Sequence, residues 1–346
     1  MAHPLAQDLD HVLAHTSEVW DALRGQKIFI TGGTGFVGTW LVESLVWANE
    51  RLNLNAQALL LTRSPGRVRV NNPALQVLKG DIRSFAYPES DFAFVIHAAT
   101  EQGHAPSNFE LDIQGTRHVL EFARTHGTRW LLFTSSGAVY GRQPPELTHI
   151  PEDYPGAPST VDLNSGYGQA KRASEFLCAN YAQRFGFSAI IARLFAFAGP
   201  HLPLDLNFAI GNFVRDVLAG GPVRIAGDGT PYRSYLYAAD LAIWLWTLLV
   251  RGESGRPYNV GSGEDLTIAD LARTVVANTA PGIPIEIARQ VVPGVPPSRY
   301  VPSVERARIE LGLTPRIPLD EAIRRMYQWN RNLGKKKRRT GSALPA

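Results

Sequence analysis

The chain has 346 residues, 45% of them hydrophobic and 19% charged, which excludes a disordered chain and is enough for two domains or one large one. Its single cysteine, Cys178, excludes an intramolecular disulfide framework and a cysteine-based zinc site, and fits a reducing, cytoplasmic compartment. The formal charge of +4 belongs to the C-terminus, where Lys335, Lys336, Lys337, Arg338 and Arg339 carry +5; the rest sums to −1 and offers no electrostatic footprint for nucleic acid.

Residues 1–24 contain Asp8, Asp10, Glu18 and Asp21 and lack the unbroken apolar core of a signal peptide. Leu5, Leu9, Val12, Leu13, Trp20 and Leu23 recur at helical spacing and predict an amphipathic helical extension packed on the body. From Lys27 onward short apolar runs alternate with helical stretches. Strands are expected at 27–31, 58–62, 75–78, 92–96, 130–134 and 188–192, and helices at 36–49, 109–126 and 167–185. That rhythm predicts an α/β fold, a Rossmann-type doubly wound parallel sheet, over 25–195. After about residue 195 frequent prolines break the rhythm, so 196–330 is expected to be mainly a smaller substrate-binding region, with some segments returning to the sheet. Its longest apolar run, Leu241–Val250, is about half of what a bilayer-spanning helix needs, so no membrane contact is expected. Residues 334–346 read as a disordered basic tail.

The first predicted strand runs directly into Thr31-Gly-Gly-Thr-Gly-Phe-Val-Gly. Gly32, Gly35 and Gly38 at a βα turn let backbone N–H groups and a helix N-terminus approach a pyrophosphate without Cβ obstruction, which predicts a dinucleotide site. Phe36, Ile82, Ala98 and Ala99 are expected to line it. The second strand ends in Leu61-Thr-Arg63-Ser64 with no carboxylate to take a ribose 2′-hydroxyl. Arg63 can grip a 2′-phosphate bidentately, favouring NADP over NAD, although an arginine can also stack on adenine in an NAD site. Asp81 suits either the adenine amino group or a helix N-cap. His97 suits either the cofactor wall or a structural place.

Tyr167 and Lys171 stand four apart on a predicted helix, which brings an ammonium beside a phenol. A cation there stabilises the phenolate of a residue that otherwise ionises near pH 10. Ser135 and Ser136 sit at the carboxyl end of the fifth strand, where parallel sheets bind ligands. No metal is expected.

Taken with Gly80-Asp-Ile-Arg, Val95-Ile-His-Ala-Ala, Ser135-Ser-Gly-Ala-Val-Tyr-Gly, Gly227-Asp-Gly-Thr-Pro-Tyr-Arg-Ser-Tyr-Leu-Tyr and Tyr258-Asn-Val-Gly-Ser-Gly, these motifs resemble the extended short-chain dehydrogenase/reductases. More narrowly, they resemble the nucleotide-sugar epimerase/dehydratase family, over roughly residues 26–330. The resemblance implies Ser136 as catalytic hydroxyl, Tyr167 as base and acid, and Lys171 as its activator and ribose ligand. It also implies Arg233, joined by Arg299, on the diphosphate of a nucleotide sugar, and Asn212 or Asn207 on the substrate. A homodimer built from helices 108–126 and 166–185 is expected on the same ground. Ala196 departs from the asparagine usual before Gly-Pro.

The resembling dehydratases carry acidic residues in the two places before Val-Tyr-Gly, and decarboxylases a glutamate at the second. Here those places hold Gly137 and Ala138, which transfer no proton. Hydride removal and return remains, which predicts a 4-epimerase acting through a 4-keto intermediate. The alternatives are an NADPH-dependent 4-ketosugar reductase, a 4,6-dehydratase and, from another class, a non-catalytic dinucleotide sensor.

Overall fold

The computed structural model describes residues 3–100 and 109–340. Helices α1 (Ala6–Ala14) and α2 (Ser17–Trp20) precede the first strand, β1 (Lys27–Thr31), and α3 (Phe36–Leu52) follows it. Then come β2 (Gln57–Thr62), β3 (Leu75–Lys79), β4 (Phe94–His97), α4 (Phe109–Thr125), β5 (Trp130–Ser136), α5 (Gly166–Phe185) and β6 (Ser188–Leu194). The C-terminal part contributes β7 (Phe197–Ala198), α6 (Ala209–Leu218), β8 (Val223–Ile225), β9 (Tyr232–Ser234), β10 (Leu236–Tyr237) and α7 (Ala238–Arg251). It continues with β11 (Pro257–Val260), β12 (Asp265–Thr267), α8 (Ile268–Thr279), β13 (Ile285–Ile287), β14 (Arg299–Tyr300), α9 (Glu305–Leu311) and α10 (Leu319–Thr340).

Seven strands form one parallel sheet in the order β11-β6-β5-β4-β1-β2-β3. Strand order reverses between β1 and β4, which opens the crevice where doubly wound sheets take their ligands. Both faces of the central strands are covered, so these strands are largely apolar, while edge strand β3 stays partly exposed. Phe29, Phe122, Phe133 and Cys178 pack under α4 and α5 on one side; Ile28, Ile30, Trp40 and Leu245 pack under α3 and α7 on the other. Strand β11 brings a late segment back to the sheet edge beside β6. Three small sheets, β10-β7, β13-β8 and β12-β9-β14, build the C-terminal region above the strand ends.

The N-terminal segment buries Leu5, Leu9, Val12, Trp20 and Leu23 against this second face. Asp8 accepts from Tyr237 Oη at 2.9 Å, and His11 Nε2 lies 3.0 Å from Asp240 Oδ1. Helix α10 continues to Thr340, so residues 334–340 are helical where a disordered tail is expected; lysine and arginine are good helix formers, and one Gly334 does not stop them. Residues 341–346 of that expected tail lie outside the described residues. Among the described residues no helix is long and apolar enough to cross a membrane.

Trp20 is fully buried, its ring 5.2 Å from that of Trp246. Trp20→Ala is expected to cost about 3–5 kcal/mol of unfolding free energy, read from the urea midpoint. A loss under about 1 kcal/mol would show that the extension is not part of the core.

Candidate active site

The glycine turn is a close approach between three backbone segments. Gly32 has φ +74°, and a Cβ there would lie 2.5–2.6 Å from the Ala98 and Ala99 backbone. A Cβ on Gly38 would collide with the Gly32 carbonyl. The turn is held by Gly35 N–H donating to Gly32 O at 3.0 Å, and Gly35 caps α3 in an extended conformation. Phe36 opens that helix. Backbone N–H groups and the α3 N-terminus thus face the crevice between β1 and β4, with Ala98 and Ala99 on its far wall. A dinucleotide pyrophosphate fits this cradle.

Arg63, at the exposed end of β2, lies close enough to Asp81 to act on its charge. Asp81 accepts from Arg83 N–H at 3.0 Å and from its guanidinium at 2.7 and 2.8 Å. Those contacts hold the carboxyl at about 2. Asp81 therefore closes the turn after β3 as a local cap. Ile82 packs on Gly115 of α4. His97 takes the structural place. Its Nδ1 lies 2.8 Å from Thr31 Oγ1 and its Nε2 3.2 Å from Thr116 Oγ1, and burial together with the Lys171 charge depresses its pKa to about 3.

Successive residues of β5 point to opposite faces, which separates its two serines. Ser135 Oγ donates to Glu175 Oε1 at 2.5 Å, inside a buried network. Glu175 takes Arg193 bidentately at 2.9 and 2.7 Å, and Arg193 Nη1 donates to Tyr140 Oη at 2.8 Å. Ser136 Oγ instead accepts from Ala138 N–H at 3.1 Å and lies 3.5 Å from Tyr300 Oη. Ser136 also bonds Tyr167, whose phenol is pushed up by burial. One turn along α5, Lys171 is buried, donates to Thr134 O at 3.0 Å and stands 5.7 Å from the Tyr167 ring centre. Burial pulls its pKa down, and the Asp112 and Glu175 carboxylates oppose that fall. Ser136, Tyr167 and Lys171 thus form one cluster at the carboxyl ends of β4 and β5.

The substrate-side residues divide. Strands β9 and β14 pair in parallel with Arg233 opposite Tyr300 and Arg299 opposite Tyr232. Arg233 therefore shares the face that Tyr300 turns toward Ser136, its guanidinium 5.9 Å from the Tyr300 ring centre. Arg299 lies on the reverse face, 2.6 Å from Asp265 Oδ2 and 3.9 Å over the Tyr232 ring. Strand alternation thus places the two arginines on opposite faces of this small sheet. Asn212, on α6, is tied to Arg215 Nη1 at 3.2 Å.

Sequence reasoning misses two groups that the fold brings to the cluster. Tyr300, 164 residues from Ser136 in sequence, fills the space beside Gly137, where a Cβ would lie 2.7 Å from Phe195 Cζ and 2.8 Å from Tyr300 Oη. Asp112 on α4 is buried, and its charge acts on both Tyr167 and Lys171. Neither lies in a motif; only the packing of α4 on α5 and the β9–β14 register reveal them. His11 and His15 do carry a metal-like spacing, but His15 Nδ1 is turned back to the His11 carbonyl at 2.8 Å. No group of three or more metal-ligating side chains occurs among the described residues.

The family model described as NAD dependent epimerase/dehydratase family matches residues 28–261. UDP-glucuronic acid decarboxylase 1 of Arabidopsis thaliana is 29% identical over 312 residues, 88% of this chain and 70% of that protein. UDP-glucuronic acid decarboxylase 5 of the same plant is 28% identical over 303 residues, covering 86% and 87%. Among solved structures, a UDP-glucose 4-epimerase from Thermotoga maritima, determined with UDP-glucose, superposes with a TM-score of 0.76 at 21% identity, over 89% of this chain and 99% of that one. A dTDP-glucose 4,6-dehydratase from Streptomyces venezuelae, with NAD bound, gives 0.73 at 23% identity, over 88% and 97%. These likenesses show the fold.

Buried, neutral His97 links stability to pH. The unfolded chain protonates this residue near pH 6.5, the folded chain only near 3, so the unfolded state binds the extra proton between those values. The stabilisation is complete above pH 6.5 and is lost as pH falls toward 3, with a slope of up to about 1.4 kcal/mol per pH unit. Urea melts of wild type and His97→Gln between pH 7 and 4 should show the shallower dependence in the variant; equal slopes would remove His97 from the account.

Proposed function

The chain belongs to the NAD dependent epimerase/dehydratase family, and on that premise we propose that it is a nucleotide-sugar 4-epimerase working through a 4-keto intermediate. The observation that carries this reading is the filled space at Gly137. Loss of water across C5–C6, or of a carboxylate, is served in resembling enzymes by acids at the places of Gly137 and Ala138. Here Phe195 and the Tyr300 phenol occupy the room that a side chain at 137 would need. Among the described residues the partners of Ser136 are the Tyr167 and Tyr300 hydroxyls and the Ala138 N–H, which suits removal and return of a hydride at one carbon.

In this reading the turn from Gly32 to Gly38, with Phe36, Ile82, Ala98 and Ala99, holds a dinucleotide whose nicotinamide supplies reversible hydride acceptance. Tyr167 takes the proton of the sugar C4 hydroxyl and later restores it. Ser136 hydrogen-bonds the same oxygen and so fixes its position. Lys171, an ammonium in a low-dielectric place, stabilises the Tyr167 phenolate and reaches the ribose. Arg233 meets the substrate diphosphate. Arg63 favours NADP. Should the cofactor prove to be a freely exchanging NADPH, Arg63 would instead support a 4-ketosugar reductase.

We also infer a homodimer built on α4 and α5. Phe176 is 71% exposed and Leu163 84% exposed, and both line a depression of about 770 Å³ with Phe109 and Arg172. Large exposed apolar side chains gathered in this way suit an association surface. Asn108, counted in the expected interface, lies outside the described residues. Phe176→Asp is expected to convert the dimer to monomer in sedimentation velocity; an unchanged sedimentation coefficient would place the contact elsewhere.

The activity test is incubation with UDP-, dTDP-, GDP- and CDP-hexoses, followed by NMR of the products. Inversion at C4 without added reductant is expected, and Tyr167→Phe should lower turnover at least about 100-fold. Accumulation of a 4-keto-6-deoxy sugar or a pentose, or a stoichiometric need for NADPH, would overturn the epimerase reading.

A further inference from the structure

The Tyr167–Lys171 pair is not alone at its level in the fold. Helices α4 and α5 follow adjacent parallel strands and therefore run the same way. They touch through Thr116 Oγ1 and Ser174 Oγ, 3.1 Å apart. One turn back along each helix stand Asp112 and Lys171, which brings a carboxylate and an ammonium to the same height between the two helices. Both are buried, at 8% and 3% exposure. A buried charge is costly unless compensated, and the hydrogen bond from Lys171 Nζ to Thr134 O supplies only a neutral acceptor.

Among the described residues, the other titratable groups near the pair have defined states of their own. Glu175, on α5, shares its carboxylate with Arg193. Cys178, on the same helix, is a fully buried thiol held protonated by burial. His97, on β4, stays neutral. Tyr300, from β14, is held protonated by burial, and Arg233 stacks beyond it. Asp112, buried on the neighbouring helix, adds its charge to both members of the pair.

We propose that Asp112 is a positioning residue of the proton-transfer pair: a fixed negative charge on α4 that keeps Lys171 an ammonium and sets the pH range in which Tyr167 exchanges its proton. The assignment rests on the reading of Tyr167 and Lys171 as that pair. A negative charge disfavours deprotonation of every neighbour, so it acts on the phenol and the ammonium in the same direction. It holds Lys171 charged at the expense of a less readily formed phenolate, and the Lys171 ammonium offsets the second effect.

The sign makes the test specific. In Asp112→Asn, which keeps size and hydrogen-bonding capacity but removes the charge, both limbs of the pH–rate profile should move to lower pH by about 1 unit. Asp112→Glu should leave both limbs in place. A fall in kcat with unmoved limbs, or limbs that move in opposite directions, would overturn the proposal in favour of a structural role. A second readout needs no substrate: the phenolate absorbance of Tyr167, taken as the difference from Tyr167→Phe, should titrate at lower pH when Asp112→Asn is present. If circular dichroism shows Asp112→Asn unfolded, Asp112→Ser takes its place in both measurements. A shifted phenolate titration with no turnover of any nucleotide sugar would sink the epimerase reading and leave this one standing. An unshifted titration would sink this one alone.

Discussion

The active cluster depends on a buried ion pair that does no chemistry. Glu175 sits one turn beyond Lys171 on α5, and Arg193 lies on β6; their bidentate contact pins the helix that carries Tyr167 and Lys171 to the sheet. The same carboxylate takes the Ser135 hydroxyl, which fixes the end of β5 and so turns Ser136 toward the crevice. Arg193 continues to Tyr140 and to the Glu152 carbonyl, and Tyr140 to Asn259, whose amide reaches Ile150 and Ser303. One network therefore registers the helix, the strand and the C-terminal region against each other. Pairs of this kind add little net stability, because desolvation offsets the attraction, but losing one partner strands a charge and costs about 3–5 kcal/mol. What the pair contributes is a single arrangement.

That arrangement explains why the ammonium can be buried. In water a lysine charge is screened and does little for a phenol a few ångströms away. Against Phe133, with a backbone carbonyl on one side and the Tyr167 ring on the other, the Lys171 charge is felt strongly by its neighbours. Burial alone would drive the proton off. The carboxylates of Asp112 and Glu175 counter that tendency from two helices. The pair is thus a balance between desolvation and opposing charge rather than a contact of two residues.

Much of this was legible before any coordinates. The apolar run 27–31 followed by glycines at 32, 35 and 38 points to a βα turn, because each feature is local, and at 32 and 38 the close approach allows only glycine. The spacing of Tyr167 and Lys171 is likewise a property of one helix. What the chain hides is anything set by pairing between distant segments. Whether Arg299 faces the cluster depends on the register of β14 with β9, and a slip of one residue would exchange Arg299 with Tyr300. The placement of Asp112 depends on how far α4 is advanced along α5.

The glycine at 137 joins these two kinds of information. As sequence it is an absence, a place where resembling dehydratases offer an acid. In the fold it is a close approach, since Phe195 and Tyr300 stand where a Cβ would have to go. Those side chains come from β6–β7 and β14, whose positions follow from the Arg193 network and from the pairing of β14 with β9. A carboxylate at 137 would therefore require the ring ends of Phe195 and Tyr300 to shift together. The lack of an acid at 137 is thus matched by the packing of the C-terminal region on the sheet rather than being a feature of one residue alone.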